Sequence, residues 1–599
     1  MAPRIADCLF LDTETTGLNP LAPSTRCRGI GWLDGATGDK GYLDLDNWAG
    51  DMDVLASFQA LLLERHPVAH NLHYDIQVLH RLGLELPNTE TWNCTLTLAK
   101  LGAPRLRKFG LKDLAVRLFD ESDADEDTAL KTWCKQQKPR VKVADRFLLA
   151  PQSLLSIYCA KDVYLAAKLW ARFSSQLDRS LIYQEYRNEM KVLARVVAAE
   201  QVGMRLDLGA LKSGKERLDA LILDHTAGCY RLAGYEFLTN SPKQLAKALY
   251  GTGLPALFTK KGAASTSKVA LLTIRKENKL ADRILKLRHA EKLLAYLEDY
   301  EHFRRGDTLS GVFNTLGALT GRFSCSNPNL QNIPRPDEGG AALIRALFIP
   351  RAGRVLVAAD FSQIELRVGA LYADPQGHMA HVLNSGGDIH QETSELIGHS
   401  RQIAKSANFL LIYCGTADKL QAYLALFGTY ISLGEARAIV AAFHGAYPEF
   451  RRLAARVERE VNLDGGVTDL VGRFYPVPRG EAYKGVNYLV QGLCAKILKG
   501  AIVRLGPVLD GEDAHMVSFI HDEILIDASA EACALVPNTT SDGLVTSTDG
   551  WAAPEDSLLG RIRAAMEERL HPAICVETPV EVSVCPVNWA RKNKVKVWN

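Results

Sequence analysis

The hydrophobic pattern of this chain changes twice, and each change limits what the surrounding segments can fold into. Over the first 175 or so residues, short apolar runs bounded by Gly, Asp and Asn predict strands mixed with helices. From about residue 180 to 305, apolar residues recur at helical spacing, as at Ile284, Leu287, Leu294 and Leu297. Strands and helices alternate again from about residue 310. We therefore predict an α/β unit, a helical segment and an α+β unit in one multidomain chain.

The composition is that of a globular protein with several cores. The chain has 599 residues, 47% hydrophobic and 23% charged, which at roughly 150 residues per domain corresponds to about four domains. Because 71 basic residues stand against 69 acidic ones, a nucleic-acid-binding chain of this kind must separate its charge into basic clefts and acidic sites. The 12 cysteines form no C-x-x-C pair and no apolar run reaches membrane-spanning length, which favours a cytoplasmic protein with reduced thiols.

Several local patterns predict individual elements. Gly29–Leu45 and His515–Asp527 are typical of hairpins, and Arg354–Asp360 of a strand that ends on an acidic residue. The strand and the second hairpin would bring Asp360 and Asp522 together if they paired in one antiparallel sheet. Polar composition predicts three solvated segments: Asp120–Asp127, Asn538–Glu555 and the basic end Arg591–Lys596.

A first group of acidic residues lies near the start of the chain. Asp12 and Glu14 are two residues apart at a predicted strand end, so both side chains point to the same face. Such a pair is costly unless a cation neutralises it, and oxygen ligands suit magnesium or manganese. Asp75 follows in the segment His70–Asp75. Tyr158 and Asp162 are four residues apart, so the phenol and the carboxylate share one face of a predicted helix.

These segments resemble the three exonuclease motifs of the DEDD superfamily, in its tyrosine-containing branch. The resemblance implies a ribonuclease H-like 3'-5' exonuclease domain over residues 1–178. It also implies that the carboxylates hold two metal ions, with Tyr158 orienting the attacking water; the four are Asp12, Glu14, Asp75 and Asp162. Three nearby histidines invite a zinc hypothesis, but without matching cysteines a structural role is favoured: His66, His70 and His73.

A second, longer series of motifs occupies the rest of the chain. Asp360, at a strand end, and Asp522, at a hairpin turn, are the candidate ligands for a metal-assisted phosphoryl transfer, whereas Glu523 is not assigned as a ligand. The series comprises Thr320–Ser324, Asn327–Pro334, Asp360–Arg367, Asp388–His390, Arg401–Tyr413, Asn487 with Gln491, and His521–Glu523.

Four residues of the Arg401–Tyr413 segment recur at intervals of four. Arg401, Lys405, Phe409 and Tyr413 would therefore follow one face of a helix. Two cations followed by two aromatic rings suit a triphosphate followed by a stacked base. The alternative is an amphipathic helix with a solvated basic end.

Together these motifs resemble those of family A DNA polymerases, the group of bacterial DNA polymerase I and many phage replicases. The resemblance implies a right-hand polymerase (palm, thumb, fingers) over residues 179–599, following the exonuclease domain. The predicted subdomains are the thumb at about 205–310, the palm at about 311–370 and 496–599, and the fingers at about 371–495. The implied activity is template-directed DNA synthesis from dNTPs with 3'-5' proofreading, using two Mg²⁺ or Mn²⁺ ions in each active site.

The resemblance also assigns roles to individual residues. Asp360 and Asp522 are the implied polymerase metal ligands, and Lys405 the implied general acid. The implied nucleotide-binding residues are Arg401, Lys405, Phe409, Tyr413, Glu365, Gln363 and His390. The implied primer–template contacts are Arg322, Asn332, Asn487, Gln491 and His521.

Two features of this series leave questions open. Glu365 matches the residue that screens the sugar 2' position in the family, yet Ser362–Glu365 also fits a capping box, which is a purely structural role. In addition, Leu410 and Cys414 stand where the family usually has glycine. These departures put the geometry around the templating base in question, but not the phosphate contacts.

The implied partners are primer–template DNA and dNTPs, for a monomer in a bacterial cytoplasm or a phage-infected cell. A helicase or a single-strand-binding protein is not specified by the sequence, and no membrane association is expected. Two alternatives remain open at this stage. One is a degradative 3'-5' exonuclease whose second half only grips DNA, and the other a non-catalytic DNA-binding replication subunit. Asp360, Lys405 and Asp522 disfavour the first, because a DNA grip needs no such group, and the presence of all six candidate carboxylates disfavours the second.

Overall fold

The computed structural model describes residues 2–46, 52–119, 124–175, 180–251, 258–259, 261–334, 340–537 and 551–598. The first part is a mixed sheet covered by helices. Its strands are β1 Cys8–Thr15, β2 Cys27–Asp34, β3 Lys40–Asp44, β4 His66–Ala69 and β5 Asn93–Cys94. Its helices are α1 Met52–Glu64, α2 Leu72–Arg81, α3 Thr95–Gly102, α4 Leu111–Phe119, α5 Ala124–Gln136, α6 Arg146–Leu149 and α7 Gln152–Ser174.

The sheet of this first part has the order β3-β2-β1-β4-β5. β1 runs antiparallel to β2 and parallel to β4, so it lies at the centre of the sheet. Its first half is apolar and fully buried, as Phe10 and Leu11 show, because helices cover both sides. The acidic residues of β1 lie in its second half, where Asp12 is partly exposed and Glu14 is buried. Asp12 and Glu14 therefore lie near the C-terminal end of the central strand β1.

A helical segment follows. It contains α8 Ser180–Val202, the short strand β6 Met204–Leu206, α9 Leu208–Ala233, α10 Pro242–Tyr250, α11 Lys268–Ile274 and α12 Lys279–Phe303. α9 and α12 pack along each other. The apolar residues that predicted this packing, among them Ile284, Leu287 and Leu297, are buried. The helical prediction for this segment is confirmed.

The remaining part contains a large, mainly antiparallel sheet, several smaller sheets and flanking helices. Its strands are β7 Thr308–Leu309, β8 Val312–Asn314, β9 Ser324–Ser326, β10 Phe348–Ile349, β11 Arg354–Phe361, β12 Gly466–Thr468, β13 Phe474–Pro476, β14 Ala514–Ile520, β15 Glu523–Ser529, β16 Val536–Pro537, β17 Trp551–Pro554, β18 Val580–Cys585 and β19 Asn593–Trp598. Its helices are α13 Ala341–Ala346, α14 Ile364–Ala373, α15 His378–Asn384, α16 Ile389–Ile397, α17 Arg401–Leu411, α18 Ala417–Leu426, α19 Leu433–Ala446, α20 Glu449–Asp464, α21 Lys484–Asp510 and α22 Leu558–Glu567.

The main sheet of this part has the order β14-β15-β11-β18-β19-β17-β16. β11 lies between β15 and β18, and both neighbours run antiparallel to it. The predicted strand at Arg354–Asp360 and the predicted hairpin at His515–Asp527 are thus confirmed, and they pair as neighbours. The sheet is assembled from segments on both sides of α14–α21, as expected for a palm.

Helix α8 joins the two halves through buried polar contacts. Glu200 near its end accepts hydrogen bonds from His73 (2.8 Å) and Gln77 (2.7 Å) of α2 and from the backbone N–H of Phe313 (2.6 Å) on β8. Lys499 of α21 donates to Glu189 of α8 at 2.6 Å, and both side chains are buried. Buried charges of this kind are stable only when paired. Buried hydrogen bonds and an ion pair therefore connect the two halves through α8.

Three of the local predictions need correction. Residues 124–127 begin α5 and residues 551–554 form β17, whereas both were predicted as loop; residues 120–123 and 538–550 lie outside the described part of the chain. The basic end is a strand rather than a solvated tail, because residues 593–598 pair with β18 and β17. Across the described residues, no helix is both long and apolar enough to cross a membrane.

Two candidate acidic active sites

The first acidic group is assembled from three elements of the first half. Asp12 and Glu14 lie on β1, Asp75 lies in the first turn of α2, and Asp162 lies on α7. Thr13 fixes Asp75 by donating from both Oγ1 (2.7 Å) and the backbone N–H (3.2 Å) to Oδ1. Burial, followed by the charges of Glu14, Asp162 and Asp75, raises the pKa of Asp12 well above its usual range. The structure thus brings all four predicted carboxylates together.

This carboxylate group fits divalent cations. Glu14 is buried, and its Oε1 has no hydrogen-bond partner among the described residues. Burial, and then the charge of Asp162, raises the pKa of Glu14 to about 8, and burial raises that of Asp75 to about 7. Clustered buried carboxylates with an unpaired oxygen need positive charge beyond what the chain supplies. Oxygen-rich donor sets of this kind are those of Mg²⁺ and Mn²⁺.

Tyr158 is held beside these carboxylates. It lies on α7 one turn before Asp162. Its ring packs edge-on against Phe147, with 5.4 Å between centroids, and the Lys112 ammonium lies 4.4 Å from its centroid. The same ammonium forms an ion pair with Asp162. Lys112 therefore joins the phenol and the carboxylate.

Sequence reasoning missed two contributors to this site. Lys112 lies far from the motifs in sequence, so no local pattern could have singled it out. Cys159 lies inside the third motif, and its Sγ is 3.4 Å from Asp12 Oδ2. The nearby histidines have separate partners: His70 contacts Thr95 and the backbone oxygen of Phe109, and His73 contacts Glu200. Those contacts agree with the structural role favoured for them.

The second acidic group lies on the main sheet of the other half. Asp360 is at the end of β11, and Asp522 lies in the turn between β14 and β15. β11 pairs with β15 so that Asp360 is opposite Glu523, and Phe361 N–H contacts the Asp522 backbone oxygen at 3.4 Å. Burial, and then the charge of Asp522, raises the pKa of Asp360 to about 7. The two predicted ligands are therefore neighbours in the structure, although 162 residues separate them in the sequence.

This second group also fits a cation. Asp360 Oδ1 is buried and has no hydrogen-bond partner among the described residues. A buried carboxylate oxygen beside a second carboxylate is stable only with added positive charge. The carboxylate of Glu523, in contrast, is turned to other groups: Oε1 accepts from Trp589 Nε1 (2.9 Å) and pairs with Lys592 Nζ (2.7 Å). Lys592, predicted to be in a solvated tail, thereby fixes a neighbour of Asp522.

Helix α17 carries the predicted cationic and aromatic residues, with one correction. Arg401, Lys405 and Phe409 lie on the helix, but it ends at Leu411, so Tyr413 is not on its face. The chain turns at Cys414, whose φ is 57°, a conformation that favours glycine. This backbone requirement explains why a glycine suits that position. A side chain there is strained, which is the physical consequence of the departure noted in the sequence.

The cationic end of α17 is partly engaged. Arg401 Nε donates to Asp388 Oδ2 at 2.8 Å, while Asp388 Oδ1 accepts from the first backbone N–H groups of α16. Among the described residues, Lys405 has no ion-pair partner. Arg401 is therefore held by Asp388, the residue that caps α16, whereas Lys405 forms no ion pair with the described residues.

Phe409 packs beside His390. The two rings are 6.0 Å apart, and His390 Nδ1 lies 3.1 Å from the Asn408 side-chain amide. Burial lowers the pKa of His390 to about 4, so the ring is neutral at physiological pH. Its Nδ1 can then accept from the amide of Asn408, which leaves the proton on Nε2. His390 and Phe409 thus form one rigid surface.

Glu365 is the centre of a cluster that the sequence did not predict. Its Oε2 accepts from Tyr413 Oη at 2.7 Å, and its Oε1 pairs with Arg322. α14 begins at Ile364 after Gln363, whose φ is 54°, and no side-chain cap is formed there. The capping-box interpretation of Glu365 is therefore wrong. The carboxylate instead links α14, the turn after α17 and the loop that carries Arg322.

The remaining predicted DNA-contact residues lie on several elements of the second half. Asn487 and Gln491 are one turn apart on α21 and are partly exposed. His521 precedes Asp522 with a φ of 59°, and its N–H donates to Gln331 Oε1 at 3.2 Å. The backbone oxygen of Asn332 accepts from Tyr296 at 2.7 Å. Asn487 and Gln491 thus share α21, whereas His521 directly precedes Asp522 in the turn between β14 and β15.

Comparisons with known proteins agree with this arrangement. The family model described as 3'-5' exonuclease matches residues 1–178, and that described as DNA polymerase family A matches residues 209–549. DNA polymerase I, thermostable, of Thermus aquaticus is 34% identical over 410 residues, which are 63% of this chain and 48% of that protein. The chain thus spans about half the length of such relatives.

Other relatives are matched over more of their length. DNA polymerase I of Aquifex aeolicus is 27% identical over 90% of this chain and 92% of its own, and DNA polymerase DpoZ of Salmonella phage PMBT28 is 27% identical over 86% and 89%. The solved POL domain of Pol1 from M. smegmatis, in complex with DNA primer-template and dNTP, has a TM-score of 0.78 at 22% identity and covers 98% of this chain and 96% of that one, which shows a shared fold. Because the polymerase match extends over more than half of the residues, this chain belongs to DNA polymerase family A.

Proposed function

We propose that this chain synthesises DNA from dNTPs on a primer–template, and that it removes 3'-terminal nucleotides at a second site. The observation that carries the proposal is the presence of two separate acidic groups, each with a buried carboxylate oxygen that lacks a hydrogen-bond partner among the described residues. The Pol1 structure of the same fold is a complex with primer-template DNA and dNTP. These are the substrates we assign to this chain.

The polymerase site would use Asp360 and Asp522 to hold two divalent cations. When bound, such cations neutralise phosphate charge and lower the pKa of an attacking hydroxyl group. The incoming triphosphate would take the place of Asp388 on Arg401 and would meet Lys405, four residues further along α17. Lys405 would then give its proton to the leaving pyrophosphate. The chain would thus position the triphosphate and neutralise its charge, which is what phosphoryl transfer requires.

The sugar and base of the nucleotide would lie against Phe409 and the Glu365 cluster. Phe409, backed by His390, offers a flat ring beside the sugar. Glu365, fixed by Arg322 and Tyr413, would face the 2' position and exclude a hydroxyl there. Gln363 borders the same cluster and carries a buried Oε1 without a partner among the described residues. These contacts act on shape and are not specific for one base.

Primer–template DNA would be held next to this site. Arg322, Asn332, Asn487, Gln491 and His521 would reach the minor-groove acceptors of this DNA. Those acceptors are similar in all base pairs, so the contacts test pair geometry without reading sequence.

The exonuclease site would use Asp12, Glu14, Asp75 and Asp162 to hold its cations. Tyr158, fixed by Phe147 and Lys112, would orient the water that attacks the terminal phosphodiester. The Lys112 ammonium would also offset part of the negative charge that builds up on the phosphate. This division of labour makes the first half a proofreading unit for the second.

We also propose the boundaries predicted from the sequence: exonuclease at 1–178 and polymerase at 179–599. The exonuclease match over 1–178 supports the first boundary. The main sheet, built from residues on both sides of α14–α21, supports a palm at 311–370 and 496–599. A monomer acting in a bacterial cytoplasm or a phage-infected cell is part of the proposal, and it agrees with the free state of all 12 cysteines.

Primer extension tests the proposal. A labelled primer on a longer template, with dNTPs and Mg²⁺, should be extended to full length. The same labelled primer without dNTPs should be shortened from its 3' end. Shortening without any extension would favour the purely degradative alternative, and neither reaction would favour a non-catalytic DNA-binding subunit.

A further inference from the structure

Cys159 lies at the exonuclease site without a role in the proposed reaction. It is fully buried on α7, between Tyr158 and Asp162. Its Sγ lies 3.4 Å from Asp12 Oδ2 and 3.5 Å from the Asp12 backbone oxygen. The sulfur is therefore in contact with a carboxylate that we assign to metal binding.

The neighbouring strand is shaped around this sulfur. Gly31 of β2 is the residue directly opposite Asp12 in the sheet. A Cβ at Gly31 would lie 2.7 Å from Cys159 Sγ, too close for any side chain. The glycine therefore leaves the space that the sulfur occupies beside Asp12. The backbone of β2 at Gly31 therefore defines the space in which the Cys159 thiol lies.

A third donor completes the group. Asp12, Glu14 and Cys159 each offer a ligand atom, and these atoms all lie within 4.8 Å of one another. The Oε1 of Glu14 is buried and has no hydrogen-bond partner in the described part of the chain. Metal–oxygen and metal–sulfur bonds of about 2.0–2.3 Å fit donor atoms at such separations. Two oxygens and one sulfur thus lie close enough together to bind one cation.

We propose that Asp12, Glu14 and Cys159 form a mixed oxygen–sulfur site that selects a thiophilic divalent cation, Zn²⁺ or Cd²⁺, over Mg²⁺ at one metal position of the exonuclease. Thiolate is a soft ligand that Zn²⁺ and Cd²⁺ accept and Mg²⁺ does not. Binding replaces the thiol proton, which leaves to solvent, by a sulfur–metal bond, and no oxidation is involved. Three protein ligands leave a fourth tetrahedral position open for water or substrate.

The proposal rests on the exonuclease assignment above, and it adds a property that the four carboxylates alone do not confer. With oxygen ligands only, a thiophilic cation would compete with Mg²⁺ without forming a sulfur bond. With Cys159 as a ligand, the cation forms a sulfur–metal bond, which gives a spectroscopic signal. Sulfur–metal bonding can thus be read without measuring activity.

The test uses Cd²⁺ and the full chain, with the exposed Cys575 replaced by Ser to lower the background. Titration of chelator-treated protein should produce a sulfur-to-metal charge-transfer absorption in the ultraviolet that saturates at one equivalent. Cys159→Ser should remove this absorption, and so should Asp12→Asn, in which the thiol is intact. Cys134→Ser changes a buried cysteine of α5 and should retain the absorption.

The affinity for Cd²⁺, measured by competition with a chelating dye, should fall about 10- to 100-fold in Cys159→Ser. An absorption that persists in either Cys159→Ser or Asp12→Asn, or that never forms in the parent protein, would overturn the proposal. Mg²⁺-supported shortening of a primer, measured in the parent protein, separates the two failures. Shortening without the absorption leaves the exonuclease assignment intact and refutes only the sulfur ligand. If Cys159→Ser unfolds, the Asp12→Asn result decides.

Discussion

The two acidic sites of this chain differ in how completely the protein builds them. In the exonuclease half, four carboxylates converge from β1, α2 and α7, and Thr13 and Lys112 hold two of them in place. In the polymerase half, two aspartates meet on paired strands, while the cations Arg401 and Lys405 lie on a separate helix. The exonuclease site is nearly complete without substrate. Under the proposed function, the polymerase site would become complete only when a nucleotide joins α17 to the sheet.

This difference follows from what each site must discriminate. An exonuclease acts on any 3' end that reaches it, so a rigid, prearranged site suits its chemistry. A polymerase must reject wrong nucleotides, and assembling the site around the right one supplies that rejection. The pair of Arg401 with Asp388 is an example, because under the proposed function a triphosphate would have to replace the carboxylate. The predictions below test this contrast.

The largest expected effect concerns the polymerase aspartates. Asp522→Ala should lower synthesis by on the order of a thousandfold, because it removes a ligand at the reacting centre. Glu523→Gln is the matched control, since it retains the bond from Trp589 and changes a side chain turned to other groups. Its synthesis rate should fall less than about tenfold. Steady-state primer extension measures both, and equal losses would contradict the assignment of Asp522 as the ligand.

The next prediction concerns the ring beside the sugar. Phe409→Tyr adds a hydroxyl where an incoming dideoxynucleotide lacks its 3'-OH, and a hydrogen bond regained there is worth about 1.5–3 kcal/mol. Relative use of ddNTP over dNTP should therefore rise about 10- to 100-fold. Competitive incorporation, in a background with Asp12→Ala, provides the measurement. An unchanged ratio would mean that Phe409 does not face the sugar.

A smaller effect is expected at the Glu365 cluster. Glu365→Ala should raise incorporation of ribonucleotides relative to deoxynucleotides by about tenfold, because the side chain no longer fills the 2' position. Tyr413→Phe removes the hydrogen bond to Glu365 Oε2 and leaves the carboxylate paired with Arg322, so it should have a weaker effect in the same direction. If both variants select sugars as the parent does, the cluster is structural only.

The smallest effect is a pH dependence of stability in the exonuclease half. Burial lowers the pKa of His70 to about 4, below its value in the unfolded chain. The unfolded state then binds more protons as the pH falls from about 6.5 to about 4, so folding stability is lost over that range. At pH 5 the loss is on the order of 1–2 kcal/mol. His70→Gln should show a smaller drop in melting temperature between pH 7 and pH 5 than the parent.

His80→Gln serves as the control for this measurement. His80 lies on α2 near the same site, but it is exposed. Its replacement should leave the drop in melting temperature as it is in the parent protein. A drop that is the same in all three proteins would show that the acid sensitivity arises elsewhere.

Much of this architecture could be predicted from the sequence because its signals are local. The apolar run of Arg354–Asp360, the turn at His521–Asp522 and the helical spacing from Ile284 onward each depend on one element or on two neighbouring strands. The end of α17 was missed because spacing alone does not show where a helix stops. Cys414 adopts a left-handed conformation that its residue type does not favour, so the sequence carried no stop signal.

The long-range pairings could not be predicted. Lys112 with Asp162, Lys592 with Glu523 and Arg322 with Glu365 join residues whose proximity depends on how whole elements pack. Glu365 shows the consequence: its local pattern fitted a helix cap, but two distant partners compete for the carboxylate and win. Local preference for a helix cap is thus overridden here by an ion pair and a hydrogen bond to residues distant in sequence.

The central claim is that this chain carries two independent acidic sites, and one crossed measurement tests it most directly. Synthesis and 3'-5' degradation are measured on the same primer–template with two variants, Asp12→Ala combined with Glu14→Ala, and Asp522→Ala. We predict that the first loses degradation and retains synthesis, and that the second does the reverse. A folded, DNA-binding variant that loses both reactions would contradict the account, because one site would then serve both.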